Sequence, residues 1–300
     1  MRTVYLGTSQ FAADVLAILA DTPHRPALVL TRPDRPRGRG RRVSPPPVAQ
    51  LAAELGIDIA QPDSINDQEA RERIAAARPD AVCVCAFGAL IREPLLSEHP
   101  MLNVHPSLLP RWRGAAPIER AIIAGDERTG VSIMRLTAGL DSGPVCASAS
   151  EPIGAEDTYG TLAPRLAAVG AELLVDVLDR GLAAVSFTEQ DEASATYAEK
   201  IDPAERLLDG HRPADELERV VRALTPHIGA ALALGDGERL GVSRAVARAP
   251  AVGDPGPAEL DLTGSLPVLG CSPGTLALTA VRPAGRREMP GEAYLRGLRG

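Results

Sequence analysis

Short apolar runs alternate with longer amphipathic stretches through the first two thirds of the chain. Thr3–Gly7 (TVYLG) reads as a strand, and Thr8 and Ser9 can cap the helix FAADVLAILA that follows. ALVLT (27–31) is a second strand, and Val48 to Leu55 reads as a helix closed by Gly56. A short strand near Ile57 precedes a charged helix over 67–77. DAVCVCAF (80–87) is apolar on both faces, the pattern of a central parallel strand. MLNVH (101–105) is short and β-rich, a helix starts near Ala116, and GVSIMRL (130–136) is a further strand. A long amphipathic helix runs from Thr158 to Leu178 behind the acidic Glu156 and Asp157. This alternation predicts an α/β fold, an open and mostly parallel sheet of Rossmann-like kind covered on both faces. Ligands on such sheets sit beyond the carboxyl ends of the strands.

The pattern changes near residue 190. QDEASATYAEKIDPAE (190–205) is polar and reads as a linker, and the helix PADELERVVRAL follows. Short β-like runs then succeed one another without crossover helices, with a hairpin signal at Gly235-Asp236-Gly237. These predict a small β-barrel over 206–300, behind an α/β domain over 1–189. The last fifteen residues carry little pattern.

Composition narrows the classes. The chain has 300 residues, 45% hydrophobic and 24% charged, with a net charge of -7. A protein that bound nucleic acid with its whole surface would be basic, so any such contact must be local. Cys83, Cys85, Cys146 and Cys271 form no CxxC pair and no zinc spacing, which predicts reduced thiols, a cytoplasmic protein and no metal. The N-terminus lacks a signal-peptide pattern, and no apolar run is long enough to span a membrane. No interface stripe is evident, which suggests a monomer. Gly7 stands alone before Thr8-Ser9-Gln10, so the dinucleotide-binding GxGxxG is absent.

Local positive charge exists. TRPDRPRGRGRRVSPPP (31–47) holds six arginines between Arg32 and Arg42, with Asp34 the one acid. Its proline and glycine content predicts an exposed, mobile loop, neither helix nor strand, because unpaired guanidinium groups are not buried.

The densest polar cluster on the apolar framework is Asn103-Val104-His105. Asn103 and His105 share one side of a strand, with Val104 on the other. Gly139-Leu140-Asp141-Ser142-Gly143 follows the strand ending at Leu136, so two strand-end loops of a parallel sheet can bring Asp141 to His105. An amide and an imidazole can stabilise a developing oxyanion while a carboxylate orients the ring. Acyl transfer to an amine requires this and a route for a proton, with no metal and no covalent nucleophile. A strand NxH can equally serve only to satisfy local backbone groups.

NVHPSLLPRWRGAAPIERAI and GDERTGVSIMRLTAGLDSGPV resemble the signature of the folate-dependent formyltransferases, most closely the branch acting on methionine-charged initiator tRNA. The resemblance extends to GTSQFA, TRPDRPRGRGRRVSPPPV, VCAFGALI, EDTYGTL, TYAEKI and RPAGRREM. It implies 10-formyltetrahydrofolate as formyl donor, catalysis by Asn103, His105 and Asp141, and a folate contact along Ser107, Leu108, Leu109 and Pro110. Phe87 to Ile91 would lie near the pterin. The C-terminal barrel would be of the OB kind and help to hold tRNA. The arginine loop would meet the acceptor stem through Arg37, Arg39, Arg41 and Arg42, with Arg39 foremost. The stretch Arg222 to His227 lacks aromatic residues often found there in the family. Formylation of a small amine, or hydrolysis of the donor, would use the same triad.

Overall fold

The computed structural model describes residues 1–37, 42–235 and 237–299. In chain order the first elements are β1 (Thr3–Gly7), α1 (Gln10–Ala20), β2 (Pro26–Leu30), β3 (Arg35–Arg37), β4 (Arg42–Ser44), α2 (Pro47–Glu54), β5 (Ile59–Ala60), α3 (Gln68–Ala77) and β6 (Ala81–Cys85). Then come α4 (Leu95–Glu98), β7 (Met101–His105), β8 (Arg113–Gly114), α5 (Pro117–Ala124), β9 (Arg128–Arg135), β10 (Val145–Pro152), α6 (Tyr159–Arg180) and β11 (Tyr197–Ala198). The remainder is α7 (Ala214–Leu224), β12 (Ala230–Ala233), β13 (Arg239–Arg248), β14 (Leu260–Asp261), β15 (Val268–Gly270), β16 (Thr275–Arg282), β17 (Met289–Pro290) and α8 (Gly291–Arg299).

The chain divides into two compact units. One comprises Met1–Gly114, Thr129–Pro152 and Ala163–Tyr197; the other comprises Ala115–Arg128, Ile153–Leu162 and Ala198–Gly300. The first holds a seven-stranded sheet in the order β10-β9-β7-β6-β1-β2-β5. Strands β7, β6, β1, β2 and β5 pair in parallel, and every residue of β1, β6 and β7 is buried. Ser9 caps α1 by accepting the Ala12 N–H at 3.2 Å. Gly7 is required at the turn into that helix: a Cβ there would come within 2.9 Å of the Ala12 methyl and 3.2 Å of the Cys85 carbonyl.

Two expectations need correction. Strand β9 runs antiparallel to β7, with His105 opposite Ser132 and Leu102 opposite Arg135. The loop bearing Asp141 therefore leaves β9 at the amino end of β7, not from a neighbouring parallel strand end. The arginine segment contains two short strands that pair antiparallel, Arg35 with Ser44, Pro36 with Val43 and Arg37 with Arg42. Within the last fifteen residues, where the sequence shows little pattern, Met289–Pro290 forms β17 and Gly291–Arg299 forms α8, which buries Gly291 and Leu295.

The second unit is an antiparallel sheet in the order β12-β13-β16-β15-β14, with β17 also on β16. Irregular register near Arg244 bends β13, as bulges do. Helix α7 packs on β13 and α5 on α7. The shared core includes Leu217, Val221, Leu224, Leu240, Val242 and Leu278. Asp215 and Glu216 begin α7 and Arg222 lies in its last turn, which matches the helix dipole.

Candidate active site

Asn103 and His105 lie on β7, and both are nearly buried, at 8% and 4% exposure. On the opposite side of the strand, the Val104 side chain sits where a Cβ on Gly170 of α6 would be 2.9 Å away. Leucine or alanine at 170 would push the helix off the sheet. The His105 Nε2 lies 2.9 Å from the Trp112 carbonyl oxygen. A carbonyl only accepts, so Nε2 carries hydrogen and Nδ1 is the nitrogen turned to the site.

Asp141 reaches both groups. Its Oδ1 is 3.4 Å from the Asn103 amide nitrogen, and its Oδ2 is 3.6 Å from His105 Nδ1. These are longer than a tight hydrogen bond and leave the Asn103 amide N–H available to another acceptor. The short bond of the carboxylate is to the Gly114 N–H, which donates to Oδ2 at 2.9 Å. Asp141 adopts φ 45°, a left-handed conformation that Asp tolerates better than most residues. Trp112, at φ 62°, has no such tolerance. Its peptide groups are tied on both sides, the N–H to the Thr196 hydroxyl at 2.9 Å and the carbonyl to His105. Such backbone strain persists where surrounding bonds over-determine it.

The turn after β7 is built by Ser107 and Ser132. Ser107 is fully buried; its N–H donates to the His105 carbonyl at 2.9 Å and its hydroxyl to the Arg111 carbonyl. Ser132 donates to the Ser107 carbonyl at 2.8 Å and accepts from the Leu109 N–H at 3.1 Å. Ser107 thus shapes the turn, while Leu108, Leu109 and Pro110 are half-exposed. Leu109-Pro110 is cis, a point left open by the sequence. Leu108 folds over Gly130, where a Cβ would stand 2.6 Å from its Cδ2.

A cleft of about 380 Å³ opens at the carboxyl ends of β1 and β6, lined among others by Thr8, Ser9, Arg32, Arg35, Phe87 and Gly88. Its volume lies in the range of small-molecule sites. Thr8 donates to the Phe87 carbonyl at 2.8 Å and Arg32 to that of Gly88, which fixes the rim. Of the arginines predicted to meet RNA, Arg37 and Arg42 end the paired strands, while Arg39 and Arg41 lie outside the described residues, as does Asp236 of the predicted hairpin turn. Among the described residues, no group of three or more His, Cys, Asp or Glu side chains could hold a metal ion. No helix among them is long and apolar enough to cross a membrane.

Two residues in the site's framework escaped the sequence reading. Arg113, 2% exposed, donates from Nε to the Gln190 side-chain oxygen at 2.9 Å and makes a two-pronged pair with Glu192 at 2.8 and 2.9 Å. Gln190 donates to the carbonyls of Asp141 and Gly143 at 2.8 and 2.7 Å. The bond from Arg113 holds the Glu192 carboxyl below its usual range. Polarity alone marks a linker at 190–205, and nothing in it signals that Gln190 folds back on the loop bearing Asp141.

The two-domain plan and this polar cluster define a formyl transferase. The formyl transferase family model matches residues 1–178 and the family's C-terminal domain model matches 200–299, and the chain belongs to that family. Within it the chain falls among the methionyl-tRNA formyltransferases: it is 44% identical to that of Methylococcus capsulatus over 299 residues, covering 98% of this chain and 96% of the other. It is 47% identical to that of Pseudomonas paraeruginosa over 230 residues, 75% of this chain and 74% of the other. The fold recurs in the methionyl-tRNA formyltransferase from Clostridium thermocellum, at TM-score 0.61 and 14% identity over 85% of this chain and 95% of that one. It recurs too in an N-formyltransferase from Helicobacter canadensis solved with folinic acid and dTDP-3-aminofucose, at TM-score 0.65 and 13% identity over 93% and 98% of the chains.

Proposed function

We propose that this protein transfers the formyl group of 10-formyltetrahydrofolate to the α-amine of methionine esterified to initiator tRNA, in the cytoplasm and as a monomer. The observation that carries the reading is the meeting of Asn103, His105 and Asp141 within 3.6 Å in a chain similar along its whole length to methionyl-tRNA formyltransferases. The donor suits the carboxyl end of the sheet, where buried Phe87 and half-exposed Leu108, Leu109 and Pro110 offer apolar surface for a flat ring. Bound there, it supplies the electrophilic formyl carbon.

The amine nitrogen adds to that carbon to give a tetrahedral adduct, and the bond to the folate nitrogen breaks when the adduct collapses. Negative charge develops on the formyl oxygen. The Asn103 amide is one donor for it, and His105 is the other when its ring carries both protons, so that Nδ1 donates while Nε2 stays on the Trp112 carbonyl. Asp141 keeps the imidazole turned and takes the proton the amine sheds, which passes to the leaving folate nitrogen. One such donor is worth about 2.7–4 kcal/mol of barrier.

The tRNA side rests on local charge. The arginine segment ending in Arg37, Arg39, Arg41 and Arg42 is assigned to the acceptor stem. The domain at 206–300 supports it with exposed Arg239, Arg244 and Arg248 on β13 and Arg282 on β16. Phosphate contacts of this kind give salt-dependent affinity. The test is a formyl-transfer assay with purified protein, 10-formyltetrahydrofolate and three acceptor conditions: methionine-charged initiator tRNA, methionine-charged elongator tRNA, and none. Formylmethionine on the initiator alone is expected. Donor breakdown without acceptor would mean a hydrolase, and turnover only with a small amine would mean a different acceptor.

A further inference from the structure

Asp141 is held at two points that lead back to one residue. Its carboxylate accepts from the Gly114 N–H at 2.9 Å, and its carbonyl accepts from Gln190 Nε2 at 2.8 Å. Gln190 also donates to the Gly143 carbonyl at 2.7 Å, so one amide clasps both sides of the turn. The Gln190 oxygen accepts from Arg113 Nε at 2.9 Å, and Arg113 is covalently joined to Gly114. The result is a closed ring: Arg113, Gln190, Asp141, Gly114.

The chemistry of that ring leaves no freedom in the amide. A guanidinium has donors only, so the Gln190 oxygen must face Arg113 and the NH₂ must face the two carbonyls. Arg113 cannot turn away, since its side chain is 2% exposed and its other nitrogens are engaged by Glu192 at 2.8 and 2.9 Å. Gly143 leaves no room for the loop to find another path: a Cβ there would stand 1.9 Å from the Arg135 carbonyl oxygen. The left-handed Asp141 needs such external bonds, because its own backbone does not favour the conformation.

We infer that Gln190 is a positioning residue for formyl transfer, setting the Asp141 carboxylate against Asn103 and His105, and that Arg113 sets the direction of the Gln190 amide. The inference rests on the catalytic reading of Asp141 above. Gln190 touches neither reacting group; it acts through the loop. Outer hydrogen-bond partners that orient the ligands of metal sites are worth about tenfold to a hundredfold in activity, and a partner that orients a carboxylate acts in the same way.

Two substitutions separate its bonds. Gln190→Glu keeps an acceptor for Arg113 and loses the donor to the loop; Gln190→Met loses both. Steady-state rates would be measured for each, alone and combined with Asp141→Asn, with thermal melts as a folding control. Both single variants are expected to lower kcat by about tenfold or more, with KM for donor and tRNA within about twofold of wild type. In the Asp141→Asn background the Gln190 substitutions should cost little further, because they act through the carboxylate already removed. Wild-type kcat in Gln190→Glu would overturn the inference, as would full additivity with Asp141→Asn. If Gln190→Glu fails to fold, Gln190→Met in the two backgrounds decides the matter. If Asp141→Asn itself retains wild-type turnover, the catalytic reading of Asp141 is what fails, and the inference falls with it.

Discussion

The two units handle polar side chains in opposite ways. Residues 103–113 of the N-terminal unit bury Asn103, His105, Ser107 and Arg113, whereas among the described residues of the C-terminal unit the buried polar side chains are Glu119 and Thr275. A buried polar group costs stability unless it is hydrogen-bonded, so the first unit carries a bonded polar framework around Asn103 and His105. His105, Ser107, Arg113, Ser132 and Gln190 each have a named partner there. The second unit keeps an apolar core and leaves Arg239, Arg244, Arg248 and Arg282 exposed on its sheet. The lesson is a division of labour: rate should be sensitive to the buried polar framework of the first unit, and tRNA affinity to arginines, those exposed on the second unit together with those of the 32–42 segment.

The largest effect should come from the triad. His105→Ala is expected to reduce kcat about 10²–10³-fold while the melting temperature stays close to that of wild type, as read by single-turnover formyl transfer and calorimetry. Next comes the support of the SLLP turn. Gly130→Ala would put a Cβ 2.1 Å from the Ala149 carbonyl oxygen and 2.6 Å from Leu108 Cδ2. Overpacking of this kind costs about 1–3 kcal/mol, measurable by urea denaturation. It should lower donor affinity as well, since Leu108 must move. A smaller effect belongs to the C-terminal unit. The pair Arg244→Ala and Arg248→Ala should raise KM for tRNA, leave kcat unchanged, and reduce the slope of log affinity against log salt by roughly one per arginine that meets a phosphate. Least of all should respond to thiol reagents. Burial pushes Cys83 and Cys85 up to about 12. The reactive thiolate is therefore scarce at pH 8, and iodoacetamide should leave both unlabelled until the protein is denatured, as mass spectrometry would show.

What could be read in advance depended on side-chain periodicity. β1, β6 and β7 are buried throughout, and their unbroken apolar runs announce parallel strands. Asn103 and His105 stood out because they interrupt such a run at spacing two. Strand direction has no such signature: Gly130 to Leu136 has the same pattern in either sense, and the strand that turns it into a hairpin, β10, is an edge strand of small and polar residues. The short strands at Arg35–Arg37 and Arg42–Ser44 pair through backbone atoms, to which arginine and proline give no clue. Helix α8 is only nine residues long and contains Gly291 and Gly297, which disfavour helix, so the segment does not announce itself. Gln190 was illegible for a different reason: its role lies in contacts with Arg113 and Asp141, 77 and 49 residues away.

The central claim is tested most directly by one steady-state series on methionine-charged initiator tRNA, comparing wild type, Asp141→Asn and the paired Arg244→Ala, Arg248→Ala variant. The account predicts a clean split: kcat falls by about two orders of magnitude or more for Asp141→Asn with KM for tRNA nearly unchanged, and KM alone rises for the arginine pair. Wild-type kcat in Asp141→Asn would contradict it, and so would an arginine pair that loses rate rather than affinity.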